Sequence, residues 1–82
     1  MLVEYIEEAM KTAKYEIIKD AEPFYGEIPA CRGVLTTGKT FEECRENLQD
    51  ALEGWLLLHI QRNLPIPSIH GKTIKLSRPV HA

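Results

Sequence analysis

At 82 residues the chain has room for one domain, spanning 1–82, and for a modest core. Its net charge of −2 is unevenly spread: residues 1–53 carry twelve acidic and six basic residues, whereas residues 54–82 carry four basic residues and no acid. An acidic body repels phosphates, so direct nucleic-acid binding is not expected there, and a basic protein partner suits it better. The longest apolar run, Trp55-Leu56-Leu57-Leu58, falls far short of the roughly 20 residues that span a bilayer. The first eight residues contain Glu4, Glu7 and Glu8 where a secretory signal has lysines, so a cytoplasmic location with no membrane contact is expected.

Leu2, Val3, Ile6, Ala9, Met10 and Ala13 recur at helical spacing, with Glu4, Glu7, Glu8 and Lys11 opposite. The pattern predicts an amphipathic helix over 2–13 that depends on packing, because it has no strong cap. Tyr15-Glu16-Ile17-Ile18-Lys19 predicts a first strand, and Asp20-Ala21-Glu22-Pro23 a turn. Phe24-Tyr25-Gly26-Glu27-Ile28 predicts a second, antiparallel strand, in which Gly26 signals a bulge or a close backbone approach. Pro29 ends the pairing for want of an amide donor. Val34-Leu35-Thr36-Thr37 predicts a short third strand, and Gly38 a sharp exit from it through unusual backbone angles.

Thr40-Phe41-Glu42-Glu43 has the form of a capping box, with the Thr40 hydroxyl on the Glu43 amide and the Glu43 carboxylate on the Thr40 amide. Phe41, Cys44, Leu48, Ala51, Leu52 and Trp55 then form one apolar stripe, which predicts a long helix over 40–63. Around Trp55–Ile60 the apolar arc widens, which implies cover from more than one direction. Leu64-Pro65-Ile66-Pro67 stops the helix. Thr73-Ile74-Lys75-Leu76-Ser77 alternates and predicts an edge strand, followed by a tail over 78–82.

Strands grouped ahead of one long helix give an α+β class: a small antiparallel sheet of three strands, with a possible fourth at the edge, packed on that helix. One helix covers one face of the sheet. Period-two alternation leaves Glu16, Ile18, Tyr25, Glu27 and Leu35 on the other face, a mixture too apolar for an ordinary monomer surface. Self-association as a dimer or tetramer, through this face or an open edge strand, is expected.

The ordered set Pro29-x-x-x-Gly33, Thr36-x-Gly38-x-Thr40 and Glu43 resembles the signature of the HicB-like antitoxin family. The resemblance runs over about 14–67, from Tyr15-Glu16-Ile17-Ile18 through Tyr25-Gly26-Glu27-Ile28-Pro29 and Cys44-Arg45-Glu46-Asn47-Leu48 to Leu64-Pro65-Ile66-Pro67. The leading helix is similar to that of a helix-first subset. The resemblance implies a partial ribonuclease-H-like fold, and a partner that is a small, basic, HicA-type ribonuclease toxin held and blocked by this domain. It also marks Pro29, Gly33, Thr36, Gly38, Thr40 and Glu43 as residues that build the fold. Lys39 stands where the family often has Asp, and Val34 where many members have Cys or His. Many members add a DNA-binding domain after this unit; the 82 residues contain none, so operator binding is not expected.

No enzyme is expected. Glu16 and Glu27 lie on neighbouring predicted strands, as a magnesium-binding pair would, but ordinary solvent-facing strand positions account for them far better. Cys31 and Cys44 form no disulfide framework, and with His59, His70 and His81 they match no metal-ligand or nucleophile–base spacing. No metal, cofactor or catalytic residue is therefore assigned. The expected function is a non-enzymatic, antitoxin-like binding module; the alternative is an oligomeric adaptor of the same fold with no toxin partner.

Overall fold

The computed structural model describes residues 2–74 and has the order helix, three strands, helix. Helix α1 spans Leu2–Lys11, strands β1, β2 and β3 span Lys14–Ile17, Phe24–Glu27 and Leu35–Gly38, and helix α2 spans Phe41–Gln61. The strands form one antiparallel sheet in the order β1-β2-β3. Tyr15 pairs with Gly26, which pairs with Thr36; Glu16 pairs with Tyr25, which pairs with Thr37. This is the α+β class expected. Within the candidate fourth strand, Thr73 and Ile74 are not extended in a sheet, and 75–77 lie outside the described residues. The described chain makes instead one isolated bridge, Ile69 with Lys72, across a turn in which His70 and Gly71 have positive φ.

Helix α2 lies over β3 and β2, and two glycines let it come close. A Cβ on Gly38 would stand 2.5 Å from the Cys44 amide nitrogen and 2.7 Å from its Cα. A Cβ on Gly26 would stand 2.9 Å from the Tyr15 ring and 3.2 Å from Cys44 Sγ. Gly26 thus marks a close approach within a continuous register. Gly38 needs no left-handed backbone, contrary to the expectation from sequence; it is small because the first turn of α2 rests on it. Gly33 is the position that uses positive φ, at 97°, in the turn before β3.

The Thr40 hydroxyl accepts from the Glu43 amide at 3.0 Å, as the capping box predicts. The return bond is displaced by one residue: the Glu43 carboxylate accepts from the Lys39 amide at 3.1 Å instead of from Thr40. At the other end Asn63 adopts φ 55°, its amide donates to the Ile60 carbonyl, and the Leu64 amide donates to His59. This Schellman closure at Asn63 stops α2 at Gln61, ahead of Pro65.

The core is off-centre. Tyr5 and Ala9 of α1, Ile28, Cys31 and Val34 of the turn region, Leu48, Leu52 and Leu56 of α2, and Ile69 are all buried together. Val34, expected to open β3, precedes it and exchanges backbone bonds with Ile28 and Cys31. The Tyr5 hydroxyl donates to the Pro67 carbonyl at 2.5 Å, tying α1 to the segment after α2. Trp55 Nε1 donates to the Arg32 carbonyl at 3.1 Å and ties the same turn to α2. The wide apolar arc expected to be covered is partly open: Leu57 is 57% exposed.

Candidate partner-binding surface

The alternation of the strands sets the character of the sheet's two sides. Tyr15, Gly26, Thr36 and Gly38 face α2, where the Tyr15 ring meets Phe41 edge-on at a centroid distance of 4.7 Å. The opposite positions Lys14, Glu16, Tyr25, Glu27, Leu35 and Thr37 face away from the helix. Ile18 continues this alternation just beyond β1. All five residues expected on the free face, Glu16, Ile18, Tyr25, Glu27 and Leu35, therefore fall on one side of the sheet.

Across the strands, Lys14 is registered with Glu27 and Glu27 with Leu35, while Glu16 is registered with Tyr25. The Tyr25 hydroxyl donates to Glu27 Oε1 at 2.9 Å. That bond to a carboxylate raises the phenol above its ordinary range, helped by burial and by the charges of Glu27 and Glu16. The Thr37 hydroxyl donates to Glu22 Oε1 at 2.5 Å, which brings a further acid to the rim. Leu35 is 52% exposed beside these acids. Lys14, Tyr15, Glu16, Tyr25 and Glu27 line a shallow depression of about 340 Å³. The face thus combines carboxylates, a phenol and an exposed leucine on a stiff backbone, a composition suited to contact with a basic, partly apolar protein surface.

A second, larger groove of about 630 Å³ runs between α1 and α2. Val3, Ile6 and Met10 form its apolar floor, and Arg45, Gln49 and Glu53 line it from α2. Sequence periodicity places these residues on their helices, but the groove needs the two helices side by side, and that crossing leaves no trace in local spacing.

The fold-building residues occupy structural positions: Pro29 and Gly33 in the turn, Thr36 and Gly38 in β3, Thr40 and Glu43 at the cap of α2. Cys31 lies in the turn after β2 and is fully buried, with its sulfur 3.8 Å from the Tyr5 hydroxyl. Burial pushes its thiol up, only partly offset by the Tyr5 contact, so the environment does not favour the reactive thiolate. Burial likewise raises the Cys44 thiol, with the charge of Glu22 adding to it. His59 stacks on Trp55 at 3.6 Å between ring centroids and donates from Nδ1 to the Trp55 carbonyl at 2.9 Å. His70 Nδ1 contacts Glu8 at 2.9 Å and Lys11 contacts the same carboxylate at 3.0 Å; these two contacts, His70 first, hold the Glu8 carboxyl below its ordinary range. Among the described residues no three histidine, cysteine or acidic side chains gather as metal ligands, and no helix is long and apolar enough to cross a membrane.

No curated protein matches the chain. Among solved structures it is similar to the crystal structure of TTHA0281 from Thermus thermophilus, at 49% identity and a TM-score of 0.90, over 94% of this chain and 95% of that one. The UPF0150-like family model matches residues 4–67. The glycine-spaced sheet, the capped α2 and nearly all of the leading α1 lie within that matched span, and the chain belongs to the UPF0150-like family.

Proposed function

We propose that the domain is a non-enzymatic binding module that holds and blocks a small basic ribonuclease of the HicA type, in the manner of HicB-like antitoxins. One observation carries this reading: the face turned away from α2 presents Glu16, Glu27 and Tyr25 around the exposed Leu35. The net charge of −6 over residues 1–53 accelerates encounter with a basic partner, and apolar contact at Leu35 and Tyr25 then slows dissociation. The signature residues Pro29, Gly33, Thr36, Gly38, Thr40 and Glu43 serve this function indirectly, by building the sheet that displays the face.

The test is titration of the purified domain against the product of a short, basic, toxin-like reading frame adjoining its gene, read by calorimetry and by protection of RNA from cleavage. Glu27→Gln combined with Leu35→Ser weakens binding, and the association rate falls steeply with salt. An adjoining basic protein that neither binds nor cleaves RNA sinks the proposal. Among the described residues the outer edge of β1 has no partner strand, which favours a second reading, an oligomeric adaptor of the same fold without a toxin. A gene that stands alone, with no adjoining basic ribonuclease, supports that reading over the first.

A further inference from the structure

We propose that the outer edge of β1 is a homodimer interface, in which two copies pair antiparallel about a two-fold axis at Tyr15. The phase of the ladder fixes which backbone groups are available. The Ile18 amide donates to the Pro23 carbonyl at 2.8 Å, so Lys14, Glu16 and Ile18 turn their backbone groups toward β2. Tyr15 and Ile17 therefore point theirs outward, where no described residue pairs with them. The other edge of the sheet is different. There the Thr37 carbonyl, which points away from β2, accepts from Asn47 Nδ2 of α2 at 3.0 Å and from the Thr36 hydroxyl at 3.3 Å. Helix α2 thus occupies a carbonyl of the β3 edge, whereas among the described residues nothing occupies the β1 edge. Ile17, 77% exposed, and Phe41, 45% exposed, flank that edge.

Charge selects one register. Antiparallel pairing of two β1 edges must set outward-pointing residues against each other, which confines the axis to one residue position at a time. An axis at Lys14 sets lysine against lysine, and an axis at Glu16 sets glutamate against glutamate. An axis at Ile17 shortens the overlap and leaves Lys14 beyond the paired residues. An axis at Tyr15 sets Lys14 opposite Glu16 of the second copy, twice, on the face away from α2. In that register the two Tyr15 residues exchange both backbone bonds, and the Ile17 amide meets the Ala13 carbonyl of the second copy. The Ala13 amide is already donated to Met10 within its own chain, which leaves its carbonyl as the group to be met. Lys14 then lies between Glu27 of its own β2 and Glu16 of the second copy. The two acidic faces join into one continuous sheet with their Glu16 charges compensated at the seam.

The chain alone suffices for the test, so its outcome is independent of any ribonuclease. Sedimentation equilibrium is run on the parent, Lys14→Glu, Glu16→Lys and the double exchange Lys14→Glu/Glu16→Lys, with circular dichroism to verify folding. The parent dimerises, each single reversal weakens the dimer by about tenfold or more because two pairs become repulsive at once, and the double exchange restores it. Ile17→Pro removes an outward amide without touching the β1–β2 ladder, so it abolishes the dimer while the monomer stays folded. A parent that remains monomeric at millimolar concentration overturns the proposal. So does a dimer that ignores both single reversals and Ile17→Pro, or a double exchange that fails to restore association.

Discussion

Replacing Gly38 by alanine adds one methyl group at the point where β3 and α2 touch. Its carbon would lie 2.5 Å from the Cys44 nitrogen, 2.7 Å from the Cys44 Cα and 3.0 Å from its Cβ. Two of the three atoms are backbone, so no rotamer change relieves the clash. Ordinary contact requires the first turn of α2 to withdraw by close to 1 Å, and a close-packed interior resists such a shift. Overpacking of this kind costs about 1–3 kcal/mol, and the backbone origin of the clash puts Gly38→Ala at the upper end, about 3 kcal/mol. For a domain of this size that lowers the melting midpoint by roughly 12–24 °C. Gly54→Ala is the internal control, since a Cβ there meets nothing within 4 Å on α2. Alanine favours the helix over glycine by about 1 kcal/mol, which raises the midpoint by roughly 4–8 °C. Thermal and urea unfolding followed by circular dichroism read both variants in the same buffer. A Gly38→Ala midpoint equal to the parent's would refute the argument from close approach, as would a Gly54→Ala midpoint that falls with it.

Thr40→Ala removes the acceptor for the Glu43 amide and costs about 1 kcal/mol; an unchanged urea midpoint would show that the cap contributes nothing here. Tyr5→Phe leaves the Pro67 carbonyl without its donor and costs about 1–2 kcal/mol at neutral pH. The same variant alters alkaline unfolding. Burial, then the contact with Cys31, raises the Tyr5 phenol, so the folded chain keeps its proton to higher pH than the unfolded one. That contribution is complete below the unfolded phenol range, about pH 10, and is lost as pH rises beyond it toward the higher folded value. The parent therefore loses stability there more steeply than Tyr5→Phe, as urea midpoints across the range will show; parallel profiles contradict the assignment. Glu8 titrates in the opposite sense: its lowered carboxyl contributes above the unfolded carboxylate range and less as pH falls. Glu8→Gln accordingly flattens the acid limb, and an unaltered limb means that the contacts to His70 and Lys11 are not populated in solution.

Features that depend on neighbours in the chain are readable from the sequence. The Thr40 cap, the stripe of Cys44, Leu48 and Leu52, and the parity that puts Glu16, Tyr25, Glu27 and Leu35 on one face all follow from short-range spacing. Features set by contacts between distant residues are not. Tyr5 and Cys31 meet across 26 positions and Tyr5 and Pro67 across 62, and no periodicity announces a turn cysteine as core. Local spacing marks Gly38 as necessary but for a torsional reason, because its steric partner, the Cys44 backbone, becomes adjacent only once α2 folds back. Spacing likewise assigns the helix stop to the Pro65 segment, whereas Asn63 ends α2 by adopting φ 55°. The carboxylate of Glu43 settles one amide earlier than a regular capping box allows, on Lys39. In each case the sequence marks that something happens and the tertiary structure decides how.

Because Gly26 and Gly38 bring backbone and Cys44 into direct apposition, the distance between sheet and helix is set by atoms that substitution on the far face does not alter. Lys14, Glu16, Tyr25, Glu27 and Leu35 point away from that contact, so changing them leaves the spacing of the two layers as it is. The frame and the chemistry of the outward face are therefore separable within one short chain. On the binding role proposed above, five or six outward side chains can be rewritten while Gly26 and Gly38 hold the two layers at the same separation.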